Sequence, residues 1–148
     1  MKKPKIVIFE GPDKVGKTTL LNKYRKATDY QVYTIDRFFA SGGVYDLLFG
    51  RKNKCWCEYL QEEQECLATF NPFLVVVVCS SMAALYERII AGEKDDTEKT
   101  IALSFMETAH FAFKSWYKES KIENKLLLDT ANRTVVDCLD ELLKFTNV

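Results

Sequence analysis

The stretch Gly11-Pro12-Asp13-Lys14-Val15-Gly16-Lys17-Thr18 limits this chain more than any other feature. It satisfies every fixed position of G-x-x-x-x-G-K-[ST]. Ile6–Phe9 before it is an unbroken β-branched and aromatic run, the pattern of a strand buried on both faces. Lys17 to about Ala27 after it reads as a helix with Leu20, Leu21 and Tyr24 on its apolar side. A strand, a glycine-bearing turn and a helix in that order make a loop whose N–H groups point at an anion, with the helix N-terminus behind them. In such a loop Lys17 reaches the outer phosphates of ATP and the Thr18 hydroxyl binds Mg2+. Gly11, Asp13, Val15, Gly16, Lys17, Thr18 and Thr19 are therefore the candidate ATP contacts.

The same alternation continues down the chain. A second strand is expected over about Gln31–Ile35, ending in Asp36-Arg37, and Ser41-Gly42-Gly43 then reads as a break. Helices follow at about Val44–Leu48 and Cys55–Phe70, the second stopped by Asn71-Pro72. Phe73–Cys79 is the strongest buried strand, and a helix carrying Met82, Leu85, Tyr86 and Ile89 follows it. Gly92–Thr97 reads as a polar loop, Glu98–Lys118 as a long helix, Leu126–Leu128 as a strand reaching Asp129, and Thr134–Phe145 as a last helix. Strands alternating with helices predict a P-loop NTPase-type three-layer α/β/α fold on a short parallel sheet of about four strands. Ligands of such sheets bind at the carboxyl ends of the strands, where Gly11, Asp36, Ser80 and Asp129 fall.

Composition narrows the function. The 148 residues suit one domain, and 47% apolar with 28% charged residues is ordinary for a globular core. Lys plus Arg balances Asp plus Glu at 21 each, which argues against a general nucleic-acid binder. Neither Ile6–Phe9 nor Phe73–Cys79 is long enough for a signal-peptide core or a membrane span, so a soluble cytoplasmic protein is expected. The odd set Cys55, Cys57, Cys66, Cys79 and Cys138 reads as reduced thiols in or near the core, with Cys55-Trp56-Cys57 an isolated C-x-C. The single histidine, His110, lies in an apolar helix and reads as structural. A P-loop by itself names no reaction. Asn124-Lys125 lacks the aspartate of a guanine-reading N-K-x-D, and the chain is short for most ring ATPases, which leaves a small kinase.

Phe9–Thr19 closely resembles the opening of thymidylate kinases, E-G-x-D-x-x-G-K-[ST]-T. Asp36-Arg37-Phe38-Phe39-Ala40-Ser41-Gly42-Gly43-Val44-Tyr45 looks like that family's D-R-[YF]-x-x-S-x-x-A-Y with equal spacing. Ala84–Ile89 is similar to the helix leading into its lid, and Leu127–Thr130 to its last strand. The resemblance implies ATP-dependent phosphorylation of a nucleoside monophosphate. It implies that Asp13 meets the sugar 3′-hydroxyl, that Arg37 holds the acceptor phosphate, and that Asp36 helps organise Mg2+. Ser41 and Tyr45 match positions beside the acceptor base, with Phe39, Trp56 and Tyr59 as further stacking candidates. Some members carry a catalytic arginine in the P-loop; here that slot holds Lys14, and the lid expected at about 91–99 offers Lys94 and Lys99. Arg88 is a candidate for phosphate contact or for a salt bridge along its helix, and Arg133 for a place over adenine or in solvent. Glu10 is a further candidate, for a metal-bound water. Family members pair through sheet-flanking helices, so a homodimer is an expectation, and the compact chain resembles a viral or phage version.

Two departures stand out. The family's R-E-P-containing segment between the P-loop helix and the D-R strand is missing, and Asp46 replaces the usual Gln or Asn after A-Y. Asp46 is either a helix-start acid or a group favouring a base with an amino substituent. Two other readings remain open at the sequence level: a deoxynucleoside kinase with Asp36 as base, and a nucleotide-binding protein without transfer activity.

Overall fold

A computed structural model describes residues 2–92 and 95–147. The elements run β1 (Lys5–Glu10), α1 (Lys17–Ala27), β2 (Tyr33–Asp36), α2 (Phe39–Leu48), α3 (Trp56–Cys66), β3 (Asn71–Val78), α4 (Met82–Gly92), α5 (Asp96–Glu119), β4 (Asn124–Asp129) and α6 (Val135–Thr146). The four strands form one parallel sheet in the order β2-β1-β3-β4.

Period-two alternation in the two central strands builds both cores. Val7 and Phe9 of β1 with Phe73, Val75 and Val77 of β3 face Leu20, Leu21, Tyr24, Leu85 and Leu142. Ile6 and Ile8 with Leu74, Val76 and Val78 face Ala40, Val44, Leu67, Phe113 and Trp116. One layer is therefore α1, α4 and α6, and the other is α2, α3 and α5. Because β1 and β3 are covered on both sides they have no polar face, which is why they read as continuous apolar runs. The result is the three-layer α/β/α fold of the P-loop type. No helix among the described residues is long and apolar enough to cross a membrane.

Several boundaries differ from the sequence expectation. Ser41-Gly42-Gly43 does not break the chain; all three lie inside α2. A Cβ at Gly43 would lie 3.0 Å from the ring of Trp116, and one at Gly42 would lie 2.9 Å from the Tyr59 ring. The glycines let α3 and α5 press against α2, and that packing overrides their poor helix propensity. The helix expected to reach Phe70 ends at Cys66, and Asn71-Pro72 opens β3, with Pro72 in register beside Ile6. Asp95 caps α5 by accepting the Thr97 N–H at 2.6 Å, so the helix starts at Asp96 and takes up much of the expected loop and lid. Lys94 lies outside the described residues. Cys55, Cys57 and Cys66 are exposed rather than in the core; Cys79 and Cys138 are buried.

Overpacking the α2 contact tests this account. Gly43→Val is expected to lower stability by about 2 kcal/mol, read as a fall in the urea midpoint at unchanged slope. A midpoint equal to the parent's would contradict it.

Candidate functional site

Gly11 follows β1 at φ 146°, and a Cβ there would sit 2.2 Å from the carbonyl oxygen of Val77. Only glycine lets the loop lie this close to β3. Val15 is fully buried in the core, and its carbonyl accepts the Thr130 hydroxyl at 2.8 Å, tying the loop to the end of β4. Gly16 is the N-cap of α1 and brings no side chain to cap it. The first-turn N–H groups are thus left for an anion.

A trough of about 370 Å³ lies along this loop, lined by Pro12, Asp13, Lys14, Gly16, Lys17, Thr18, Thr19 and Arg37. Lys17 is 5% exposed, and its Nζ pairs with the Asp36 carboxylate at the end of the neighbouring strand. Arg37 pairs with Asp13 across the trough. The Arg37 N–H donates to the Phe9 carbonyl at 3.0 Å, which fixes the turn out of β2. Lys14 and Arg37 both have left-handed backbones, φ 67° and 65°. Each costs about 1 kcal/mol for an L-residue, a cost borne mainly where a side chain must be aimed.

On the other side of Pro12-Asp13-Lys14 opens a second cleft of about 260 Å³. Tyr45 of α2 and Phe49, its C-cap, stack at 6.0 Å along one wall, and Phe105 of α5 meets Phe49 edge-on at 5.1 Å. Ile89 of α4 with Ile101, Ala102, Met106 and Ala109 of α5 add apolar lining, and Glu98 and His110 also border it. Phe49 and Ile101 stand 47% and 48% exposed at its mouth, an apolar surface that a flat ring would cover. The guanidinium of Arg37 lies 6.0 Å from the Tyr45 ring, so the cationic end of the trough adjoins the aromatic wall.

Glu10 joins the two halves. It is fully buried at the end of β1, and its carboxylate accepts the Phe38 N–H at 3.0 Å, the Ser41 N–H at 3.2 Å and the Ser41 hydroxyl at 2.6 Å. Those donors belong to the start of α2, so Glu10 acts as that helix's cap from outside. Burial pushes its carboxyl up to about 7, against the opposing pull of the three donors and of Lys17.

The predicted residues divide clearly. Asp13, Lys14, Gly16, Lys17, Thr18, Thr19 and Arg37 come together along the trough, with Asp36 tied to it through Lys17 and Tyr45 joining from the cleft, while Gly11 and Val15 are outside its lining. Arg88 reaches the loop from α4, its Nη1 donating to the Lys14 carbonyl at 2.9 Å. Ser41 is held by Glu10, and Phe39 packs on Phe38 at 4.4 Å, so neither lines the cleft. Arg133 bonds Glu141 at 3.0 Å and the carbonyl of Asp137, outside the trough. Asp46 is buried and accepts from the Tyr59 hydroxyl, while Trp56 packs edge-on to Trp116. His110 is bonded within the fold, where Nε2 accepts the Cys79 N–H at 3.2 Å, Nδ1 donates to the Met106 carbonyl at 2.9 Å, and burial pushes its pKa down; it also borders the second cleft. Sequence reasoning missed Phe49, Ile89, Ile101 and Phe105 as a wall. They come from three helices, and the only local hint was their placement on apolar helix faces.

No protein-family model matches the chain, and no curated protein matches it. Among solved structures, the YorR protein of Bacillus subtilis, in complex with phosphorylated GDP, superposes with a TM-score of 0.72 at 15% identity. The match covers 96% of this chain and 95% of that chain. At that identity the likeness establishes the fold.

The Glu10 clamp predicts a pH dependence. The folded protein holds a proton on Glu10 up to about 7, whereas the ordinary value is 4.5. The native state then binds more protons than the unfolded chain between those values, so this contribution is full below 4.5 and is lost as pH rises through 7. Its limit is on the order of 3 kcal/mol. Glu10→Gln keeps acceptors and donors at the clamp without the charge. Chemical denaturation from pH 5 to 8 is expected to show that loss in the parent and a flatter profile in the variant. Equal slopes would contradict the assignment.

Proposed function

We propose that the protein transfers the γ-phosphoryl group of ATP to a nucleoside monophosphate, forming the diphosphate, in the manner of the thymidylate kinases its motifs resemble. The observation that carries this reading is the meeting of the phosphate trough and the aromatic cleft at Asp13 and Lys14, with Arg37 and Tyr45 in contact range across the junction. A cleft of about 260 Å³ walled by three aromatic rings suits a nucleobase. The nucleotide bound by the YorR structure is in keeping with this reading.

The trough would hold the ATP phosphates on the loop N–H groups and Lys17. The acceptor phosphate would displace Asp13 from Arg37 and take its place, an exchange made cheap because that ion pair is 47% and 65% exposed on its two sides. Lys14, its carbonyl held by Arg88 and its ammonium beside Gly92 at the end of α4, would add charge between donor and acceptor. The Thr18 hydroxyl and Asp36 carboxylate are hard oxygen donors of the kind Mg2+ accepts, and such an ion draws its remaining ligands from phosphate and water. They would hold Mg2+, whose charge offsets that developing on the phosphates. An acceptor phosphate is already an anion, so no general base is needed; positioning and charge neutralisation do the chemistry. Asp36 is engaged by Lys17 and is not part of the cleft lining, which favours this reading over a nucleoside kinase with Asp36 as base.

A coupled ADP-release assay over nucleosides and their monophosphates tests the proposal. Turnover is expected with at least one monophosphate and not with the nucleosides. Lys17→Ala should lower kcat/KM by about 100-fold or more, as loss of a charge-bearing contact in the transition state does. Arg37→Ala should raise the acceptor KM by about 10-fold or more and leave the KM for ATP nearly unchanged. Turnover of nucleosides alone, or an equal effect of Arg37→Ala on both substrates, would overturn the reading.

A further inference from the structure

At the start of α3, remote from both clefts, the Sγ atoms of Cys55 and Cys57 stand 2.7 Å apart, and both residues are exposed. Two residues apart within a helix, their side chains would point away from each other. They meet because Cys55 is the extended N-cap, φ −80° and ψ 161°, and only Cys57 is helical. The Glu58 carboxylate lies 3.3 Å from Cys55 Sγ, and the hydrogen bond shared with Cys57 holds the Cys55 thiol above its ordinary range, so it is the closeness of the two sulfurs that favours ring closure. The remaining thiols are placed differently. Cys66 is exposed at the far end of α3, and Cys79 and Cys138 are buried.

The residue between the two thiols connects to the fold. Trp56 packs edge-on against buried Trp116 at 5.2 Å and donates from Nε1 to Glu119 at 3.0 Å. Its ring also lies against Gly43 of α2, 3.6 Å from where a Cβ would stand. Trp116 in turn donates to buried Glu63 of α3 at 3.0 Å. The tight α2–α3–α5 junction is therefore held next to the C-x-C.

We propose that Cys55 and Cys57 form a reversible dithiol modification site, closed to an intrachain disulfide by a small disulfide oxidant of the glutathione class. One thiolate attacks the oxidant and releases its first thiol, leaving a mixed disulfide. The second thiolate attacks the protein sulfur of that intermediate and releases the other thiol. Two protein thiols lose two protons and two electrons, and the oxidant is reduced to two thiols. A bonded pair sits about 2.05 Å apart, so closure draws Cys55 and Cys57 together across Trp56 and rotates its backbone off the Trp116 contact. A small exposed ring of this kind is easily reduced, which fits a labile switch rather than a staple.

The test uses the full chain with oxidised glutathione. The two tryptophans of the sequence are Trp56 and Trp116, so intrinsic fluorescence reports this junction alone. In a Cys66→Ser background, which removes the remaining exposed thiol, intact mass is expected to show loss of two hydrogens without a glutathione adduct, mapped to the peptide holding residues 55–57. Emission should shift to longer wavelength and return on reduction. Cys55→Ser and Cys57→Ser should each retain a glutathione adduct instead, because no second thiol resolves it; serine is a good N-cap at 55, so folding is preserved. A stable adduct on the Cys66→Ser parent, disulfide-linked dimers of it, or oxidation with unchanged fluorescence would each overturn the proposal. None of these readouts depends on kinase activity, so they stand apart from the reading of the trough.

Discussion

One buried carboxylate joins the parts of this molecule that must work together. Glu10 is the last residue of β1, directly before the loop, and it holds the first turn of α2 through Phe38 and Ser41. The loop shapes the trough, while α2 with its C-cap Phe49 brings Tyr45 and Phe49 to the cleft and begins two residues after Arg37. That clamp fixes the start of α2 against the end of β1, and so helps set one cleft relative to the other. Burying a carboxylate is costly, and the three donors offset part of that cost. The carboxyl titrates near 7 as a consequence, not as a separate design.

The charges around the trough are compensated within the protein. Lys17 rests on Asp36 and Arg37 rests on Asp13. Each cation is thus held in place by a carboxylate that a phosphate can replace. The exposed Arg37–Asp13 pair is cheap to separate, while Lys17 is buried and its position hardly free to change. Backbone strain at Lys14 and Arg37 falls at the same spot, which is where aiming side chains at a ligand has value.

What the sequence made legible was local. The loop motif lies between a strand and a helix in a span of about twenty residues, and each part predicts the next. The buried strands β1 and β3 announce themselves because they are apolar on both faces. Gly42-Gly43 misled because glycine's preference for turns is a local argument, while the reason for these glycines is the Trp116 and Tyr59 rings pressed on them from α5 and α3. The cysteines misled similarly, since thiols are usually buried and nothing local marks Cys55 as an exposed helix cap. Ser41 matched a base-side position in the motif, yet its hydroxyl serves Glu10. The aromatic cleft was unreadable for a different reason: Tyr45, Phe105 and Ile89 are brought together only by helix packing, and each alone resembles core.

The central claim is that trough and cleft are one continuous site for two nucleotides. A bisubstrate compound, adenosine joined through an oligophosphate to a deoxynucleoside, probes it most directly by calorimetric titration. If the two clefts are one site, the best such compound binds at least about 100-fold more tightly than ATP, because its second half is already delivered, and Phe105→Ala removes most of that gain. Binding no tighter than ATP for every base tried, or a gain that Phe105→Ala leaves intact, would contradict the account.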